Sequence, residues 1–132
     1  MKPLTLDAFN QWMDAYGRAS MENNAKASAE LFSQNARYYE TPFDEPMVGR
    51  KVIYQYWLNG AKTLKDKDSS YEILSVKDNV GISRWQSRFT DITSGRRFEL
   101  DCLFVVEFDE DRCSMFREWW HLRATGSNLS TR

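Results

Sequence analysis

The apolar positions in the first half of the chain recur at helical spacing and predict three helices. Thr5 can cap the first helix, whose apolar face has the i, i+3, i+4, i+7 spacing of Phe9, Trp12, Met13 and Tyr16. Asn24 can cap a short second helix over residues 25–32. Gly49 precedes the third helix, whose predicted buried stripe comprises Val52, Ile53, Tyr56, Trp57, Gly60, Ala61 and Leu64.

Alternation of apolar and polar residues predicts strands, most of them in the second half of the chain. An early strand over residues 36–41 ends at Pro42, and the loop at 43–47 follows it. After a polar connection at 62–70, four strands are predicted at short spacing, roughly over 70–77, 80–93, 96–108 and 112–123. Helices followed by a run of strands predict an α+β fold with an antiparallel sheet.

The length of 132 residues fits one domain. We expect its core at about 6–123 and a flexible tail of small and polar residues at 124–132. Aromatic residues make up 14% of the chain, with five Trp, six Tyr and eight Phe. Such rings either fill a core or form the wide, stiff walls of a cavity, and composition alone leaves both interpretations open.

The length of the turn at Ser94-Gly95 decides which side chains of its two strands share a face of the sheet. Counted as two residues, the turn makes Thr93 face Arg96 and gathers largely apolar side chains on one face. The predicted pairs on that face are Phe89 with Leu100, Ser87 with Cys102, and Trp85 with Phe104. The opposite face carries charged residues and hydroxyl groups.

A second turn, at residues 109–111, decides the direction of Glu118. A three-residue turn pairs Cys102 with Glu118 and turns this carboxyl inward, whereas a two-residue turn would turn it outward. We favour three residues, because that count sends Arg117 and His121 outward. The side chains then expected to converge on one cavity with Glu118 are Trp57, Trp85, Phe89, Leu100, Phe104 and Trp120.

Charge and motif content exclude several classes of partner. The 18 basic residues are balanced by 19 acidic ones, so nucleic acid is not an expected partner. No apolar run has the length of a membrane span and no leader pattern precedes the first helix, so a cytoplasmic location is expected. His121 is the one histidine, the two cysteines lack CxxC spacing and no glycine-rich loop occurs, so neither a metal nor a nucleotide cofactor is predicted.

Several stretches of the chain resemble the nuclear-transport-factor-2-like superfamily, specifically its SnoaL-like bacterial branch. They are residues 12–16 of the first helix, the segment LFSQNARYYETPFDEPMVGR, the Tyr56-Trp57 pair, and FREWWHLR. The resemblance covers about residues 6–123 and implies a cone, in which a curved sheet wraps around the helices and a pocket lies at the open end. Members include isomerases, epoxide hydrolases, dehydratases, cyclases and binding domains, so membership does not name a reaction.

Two enzyme families of this superfamily match the chain only in part. Similarity to limonene epoxide hydrolase places that family's site tyrosine on Tyr39, its asparagine on Thr41 and one acid on Glu118, but its arginine and second acid fall on Trp85 and Ser87. Without those two groups, its mechanism lacks a general acid.

The sequence also resembles ketosteroid isomerase in part, an enzyme family whose chemistry depends on carboxyl groups with shifted pKa values. The resemblance places its oxyanion-hole tyrosine near Tyr16, its base near Glu40 or Thr41, and its protonated acid near Phe104. A phenylalanine cannot donate a hydrogen bond, so this site is also partial.

Glu118 is the strongest candidate for chemistry. An inward carboxyl among aromatic rings would have a raised pKa and could act as a general acid or base, with Tyr39 and Thr41 holding a water or ligand hydroxyl opposite it. We therefore predict a pocket for a small hydrophobic ligand, with acid–base catalysis as a further possibility. The alternative is a non-catalytic domain whose aromatic residues fill the cone.

The outer face of the predicted sheet carries an apolar patch formed by Leu103, Val105 and Trp119 among charged neighbours. Monomeric proteins rarely leave such patches bare. A homodimer through this face is therefore expected, in agreement with the habit of many proteins that the sequence resembles.

Overall fold

The computed structural model of the chain describes residues 3–125, which form three helices and six strands. The helices are α1 (Leu6–Met21), α2 (Ala25–Ala29) and α3 (Arg50–Thr63). The strands are β1 (Phe32–Tyr39), β2 (Met47–Val48), β3 (Leu64–Lys77), β4 (Val80–Asp91), β5 (Arg97–Asp109) and β6 (Arg112–Thr125). The α+β class is thereby confirmed. Within the described residues, no helix is long and apolar enough to cross a membrane.

All six strands join one curved sheet in the order β2-β1-β6-β5-β4-β3. Antiparallel pairs connect β3 to β4, β4 to β5 and β5 to β6. β1 runs parallel to β6, so the sheet is mixed and not wholly antiparallel as predicted. Alternation could not reveal this, because it fixes which side chains share a face and not the direction of the neighbouring strand.

α1 lies against the inner face of this sheet. Its predicted apolar face is buried, and the Ala8 backbone N–H donates a hydrogen bond to Thr5 Oγ1 at 3.0 Å, so Thr5 is the predicted cap. The stripe of α3 is less buried than predicted. Ile53 is fully buried, whereas Val52 is exposed and Tyr56 borders a cavity instead of packed side chains.

Three predicted boundaries were wrong, in each case by several residues. α2 ends at Ala29 and β1 already begins at Phe32, where the Cys113 backbone N–H donates to the Leu31 carbonyl oxygen at 2.9 Å. β3 begins directly after α3, in the segment predicted to be a polar connection. It is an edge strand, and charged residues on the outer side of an edge strand discourage pairing with other chains. That charge concealed its alternation.

The β4–β5 connection is longer than predicted, but the predicted faces are right. β4 ends at Asp91 and β5 begins at Arg97, and the pairs are shifted by two residues, so that Trp85 faces Cys102 and Ser87 faces Leu100. A shift of two preserves the face of every side chain.

The β5–β6 turn has two residues, Glu110 and Asp111, not the predicted three. A β-bulge follows, because Phe108 faces Cys113 whereas Glu107 faces Met115. The extra residue reverses the alternation once more, so Glu118 lies on the inner face, opposite Phe104.

β6 also includes part of the predicted tail. Its last residues, Ala124 and Thr125, pair with Phe98 and Arg97. The rest of that tail, residues 126–132, lies outside the described residues.

Candidate active site

A cavity of about 370 Å³ lies between α1, α3 and the inner face of the sheet. The helices contribute Tyr16, Ser20, Tyr56, Trp57, Asn59, Gly60 and Thr63 to its wall. The strands contribute Tyr38, Leu64, Lys67, Trp85, Ser87, Phe89, Leu100, Phe104 and Glu118. The wall is therefore largely aromatic, with a small number of polar groups, which is the usual composition of a small-molecule site.

Tyr16 occupies the centre of the aromatic wall. Its ring packs edge-on against the rings of Trp57 and Trp85, with centroid distances of 5.2 and 5.0 Å. It is stacked against Phe116 at 5.8 Å on the side of the sheet. Edge-to-face and offset contacts of this kind are favourable beyond their buried area, so they hold the phenol ring in one position.

Glu118 is the one carboxylic acid among the side chains that line this cavity in the described chain. It is partly buried and forms no ion pair with any described residue. Burial, and after it the negative charge of Glu40, raises its pKa to about 8. The group is therefore mostly a neutral carboxylic acid at pH 7.

Glu40 is held beside this site by two contacts. Its carboxylate accepts a hydrogen bond from the Tyr56 hydroxyl. Its backbone carbonyl oxygen accepts one from Trp120 Nε1 at 3.0 Å. These contacts position a second carboxyl close enough to act electrostatically on Glu118, although Glu40 itself is exposed.

Three tyrosine hydroxyls accompany Glu118. Burial, with the charge of Glu118 as the second cause, raises the pKa of Tyr16 and of Tyr38 well above the usual value. Burial and the bond to Glu40 raise the pKa of Tyr56. All three phenols therefore stay protonated at physiological pH. The Tyr56 hydroxyl already donates to Glu40, so the hydroxyls of Tyr16 and Tyr38 are the neutral donors that remain in the wall.

Most of the predicted site residues come together in this cavity. Those that line it are Tyr16, Trp57, Trp85, Ser87, Phe89, Leu100, Phe104 and Glu118. Cys102 shares their face of the sheet but lies in the packed core, where burial raises the pKa of its thiol. Cys102 and Cys113 are both free.

Three predicted residues lie elsewhere. Tyr39 is opposite Arg117 on the outer face of the sheet, because the buried positions of β1 are Phe32, Ala36 and Tyr38. Thr41 lies in the loop after β1, where its Oγ1 accepts a hydrogen bond from the Phe43 backbone N–H at 3.3 Å. Trp120 has an inward register but is 45% exposed, since its ring lies beyond the cavity beside Glu40.

The cavity-lining residues that the sequence pattern did not assign to the site are chiefly Tyr38 and Lys67. Tyr38 could have been found, because it alternates with the small residue Ala36 on the inner side of β1. Lys67 was hidden in the segment taken for a connection. Tyr56 was predicted to be buried in the stripe of α3 but was not assigned to the site.

Within residues 3–125, no group of three or more histidine, cysteine, aspartate or glutamate side chains is arranged to hold a metal ion. The ionisable groups in the wall of the cavity are the carboxyl of Glu118, the phenols and the ammonium group of Lys67.

The sequence matches the SnoaL-like domain family over residues 9–115, and the chain belongs to this family. The resemblance to the nuclear-transport-factor-2-like superfamily is thus confirmed. A comparison with curated proteins gave no match.

Similar solved structures share the fold at low identity. A candidate isomerase from Bacillus subtilis has a TM-score of 0.76 and 20% identity, over 87% of each chain. SalBIII, an epoxide hydrolase/cyclase-like enzyme in pyran ring formation in the polyether salinomycin, has a TM-score of 0.75 and 15% identity, over 87% of this chain and 94% of its own. A Catenulispora acidiphila hypothetical protein with a ketosteroid isomerase-like fold, in complex with trimethylamine, has a TM-score of 0.73 and 11% identity, over 83% and 84%. At such identities the likeness establishes the fold alone.

Proposed function

We propose that the cavity binds a small hydrophobic molecule and that Glu118 performs acid–base chemistry on it. The observation that carries the proposal is a carboxyl group on an aromatic cavity wall whose pKa is raised to about 8. An acid with that pKa is protonated at neutral pH and can still release its proton, which is the property that general acid catalysis requires.

In the proposed step, the O–H bond of Glu118 breaks as its proton passes to an oxygen of the substrate. The hydroxyls of Tyr16 and Tyr38 are neutral donors in the same wall that can stabilise charge on that oxygen. Glu118 regains a proton from the substrate or from water at the end of the cycle. Isomerisation, dehydration, cyclisation and epoxide hydrolysis all include such a step, and the names of the structural neighbours are compatible with these classes.

Binding can be tested with the neutral fluorescent probe N-phenyl-1-naphthylamine. A Cβ at Gly60 would meet nothing within 4 Å, so Gly60→Leu places its side chain in the open space of the cavity. We expect this variant to weaken probe binding at least ten-fold. Gln55→Leu, on the exposed side of α3, is the matched control and should bind as the unaltered protein does. Equal binding by all three proteins would contradict a site in the cavity.

Catalysis can be tested with a panel of hydrophobic enones, epoxides and tertiary alcohols. For any substrate that is turned over, we expect Glu118→Gln to lower kcat about 100-fold or more while probe binding stays within a few-fold. Glu72→Gln, at an exposed outer position of β3, is the control. Turnover should also fall as the pH rises above about 8, where Glu118 loses its proton. Unchanged activity of Glu118→Gln would remove Glu118 from the mechanism, and binding without turnover across the panel would favour a non-catalytic binding domain.

The same proposal includes a homodimer through the outer face of the sheet. Leu103 and Trp119 face each other across β5 and β6 and are 39% and 43% exposed. An exposed apolar pair at the centre of a sheet face is suited to a two-fold interface. Light scattering should give a dimer that Trp119→Asp dissociates and that Leu74→Asp, an exposed apolar residue of β3, leaves intact. A monomeric unaltered protein would contradict this assembly.

A further inference from the structure

Lys67 brings a positive charge into the wall of the cavity. On β3 the residues at 67, 69, 71 and 73 are half-buried, whereas those at 66, 68, 70 and 72 are exposed. Lys67 therefore occupies an inward position, in register with Ser69 and Tyr71. Among the residues that line the cavity within the described chain, it is the one with a cationic side chain.

A β-bulge sets this orientation. The pairing of β3 with β4 shifts between Lys65 and Asp68, and Asp66 has a φ of 51°, in the left-handed region. The bulge is held by Arg97, whose Nη1 donates to the Asp66 carbonyl oxygen at 2.6 Å. Bulges often redirect one side chain beside a functional site. Here the bulge places Lys67 on the inner face of the sheet, the same face as Ser69 and Tyr71.

The ammonium group of Lys67 lacks an internal counter-ion. No carboxylate of the described residues lies within salt-bridge distance of it, and its neighbours Asp66 and Asp68 are exposed on the outer side of the strand. Burial lowers the pKa of Lys67, which reflects the cost of holding a charge in this position. A partly desolvated cation gains more from an anionic partner than a solvated one does.

The polar residues of the wall lie on different elements from Glu118. Ser20 belongs to α1, Asn59 and Thr63 belong to α3, and Lys67 belongs to β3. β3 and the Glu118 strand β6 are separated by β4 and β5 in the sheet. Lys67 and Glu118 are thus two ionisable side chains on separate strands of the wall. Aromatic side chains line the rest of the same cavity.

We propose that the ligand of this cavity is amphiphilic: its anionic group, a carboxylate or a comparable oxyanion, pairs with Lys67, and its apolar body lies among the aromatic side chains and extends to Glu118. The inference rests on the proposed function and adds the substrate class. The charge pair fixes the orientation of the ligand, so that the oxygen which Glu118 protonates belongs to the part of the molecule remote from the anion.

A matched pair of probes tests the inference. 8-Anilinonaphthalene-1-sulfonate and N-phenyl-1-naphthylamine share one scaffold, and only the first carries an anion. We expect Lys67→Met to weaken binding of the sulfonate about 10- to 100-fold, the range of a charge-assisted hydrogen bond, and to change binding of the neutral probe less than two-fold. Lys67→Arg should retain the preference for the anion. Lys65→Met removes an exposed lysine from the same strand and should have no such effect.

The outcomes separate the two proposals. If the neutral probe binds, is blocked by Gly60→Leu, and both probes respond equally to Lys67→Met, the anion inference is wrong and the cavity proposal stands. If Lys65→Met weakens sulfonate binding as much as Lys67→Met does, general surface charge is responsible and the inference is again wrong. If neither probe is affected by Gly60→Leu, the cavity proposal itself fails. Neutral-probe binding also reports that each lysine variant is folded, and denaturant unfolding reports the same for Gly60→Leu.

Discussion

The two ends of the cone are built from similar residues but packed differently. At one end, the rings of Phe9 and Trp12 each meet the ring of Phe108 edge-on, at 5.9 and 5.5 Å, and Phe9 is completely buried. At the other end, the rings of Trp57 and Phe89 border a cavity of about 370 Å³. We call the first the closed end, because its rings fill the space between helix and sheet. We call the second the open end, because its rings line a cavity.

The polar groups follow the same division. Among the described residues, the buried polar side chains are those of four serines, so no carboxyl or ammonium group is packed among the rings of the closed end. The open end combines aromatic rings with Glu118, Lys67 and tyrosine hydroxyls. Since burying a charge without a partner is costly, such groups in an aromatic wall support the proposal that a ligand binds at this end. Packing at the closed end stabilises the fold, whereas the buried ionisable groups of the open end lower the free energy of unfolding.

The largest expected effect comes from removing one ring at each end. Phe9→Ala should lower the free energy of unfolding by about 3–5 kcal/mol, because it leaves an enclosed void in a packed core. Phe89→Ala should cost about 1 kcal/mol, because Phe89 is only half-buried and already borders open space. Denaturant unfolding of both variants measures the difference. Equal losses would mean that the open end is as tightly packed as the closed end.

The closed end could be predicted from the sequence far better than the open end. The helical spacing of Phe9, Trp12 and Tyr16 was enough to place α1 on the core, because burial there depends only on which residues are apolar. The inward direction of Glu118 was also predicted, but from a three-residue turn that does not exist; a two-residue turn and a bulge together give the same parity. A bulge depends on tertiary packing and leaves little trace in the sequence.

The site residues Tyr38 and Lys67 were also missed because the sequence pattern does not reveal which polar side chains face inward. The similarity to limonene epoxide hydrolase indicates Tyr39, whereas the alternation with Ala36 on the inner side of β1 indicates Tyr38. Lys67 was missed because charged residues surround it on an edge strand, where the polar outer face masks the inward positions. The hydrophobic pattern gives the wrong side for polar residues that face inward, and the polar groups of a binding site are residues of this kind.

The second prediction concerns the cost of the carboxyl at the open end. Burial raises the folded-state pKa of Glu118 to about 8, whereas an unfolded chain has a value of about 4.3. Between these pH values the folded protein holds a proton that the unfolded chain has released. The contribution of Glu118 to the free energy of unfolding should therefore be highest below about pH 4 and should fall as the pH rises to about 8.

Glu118→Gln removes this dependence, because an amide does not ionise. Relative to the variant, the unaltered protein should lose on the order of 2–4 kcal/mol of unfolding free energy between pH 5 and 8.5. Denaturant titrations at several pH values, with Glu72→Gln as the control, measure it. Parallel pH profiles for the unaltered protein and Glu118→Gln would show that the carboxyl is solvated, and the open end would then cost the fold nothing.

The smallest effect, and the one with opposite signs at the two ends, comes from a single methyl group. Gly81 lies on β4 under α1, and a Cβ there would approach the Phe9 ring to 2.5 Å. Because Phe9 is fully buried, its ring cannot move aside, and Gly81→Ala should lower the free energy of unfolding by about 1–3 kcal/mol. Gly60 lies near the end of α3, where a Cβ would meet nothing within 4 Å. Gly60→Ala should instead raise the free energy of unfolding by about 0.5–1 kcal/mol, since alanine is the better helix former. Thermal and denaturant unfolding of the two variants measure both changes on one fold. A loss of stability in Gly60→Ala would mean that the cavity wall is already filled beside α3, and the contrast between a packed end and a lined end would not hold there.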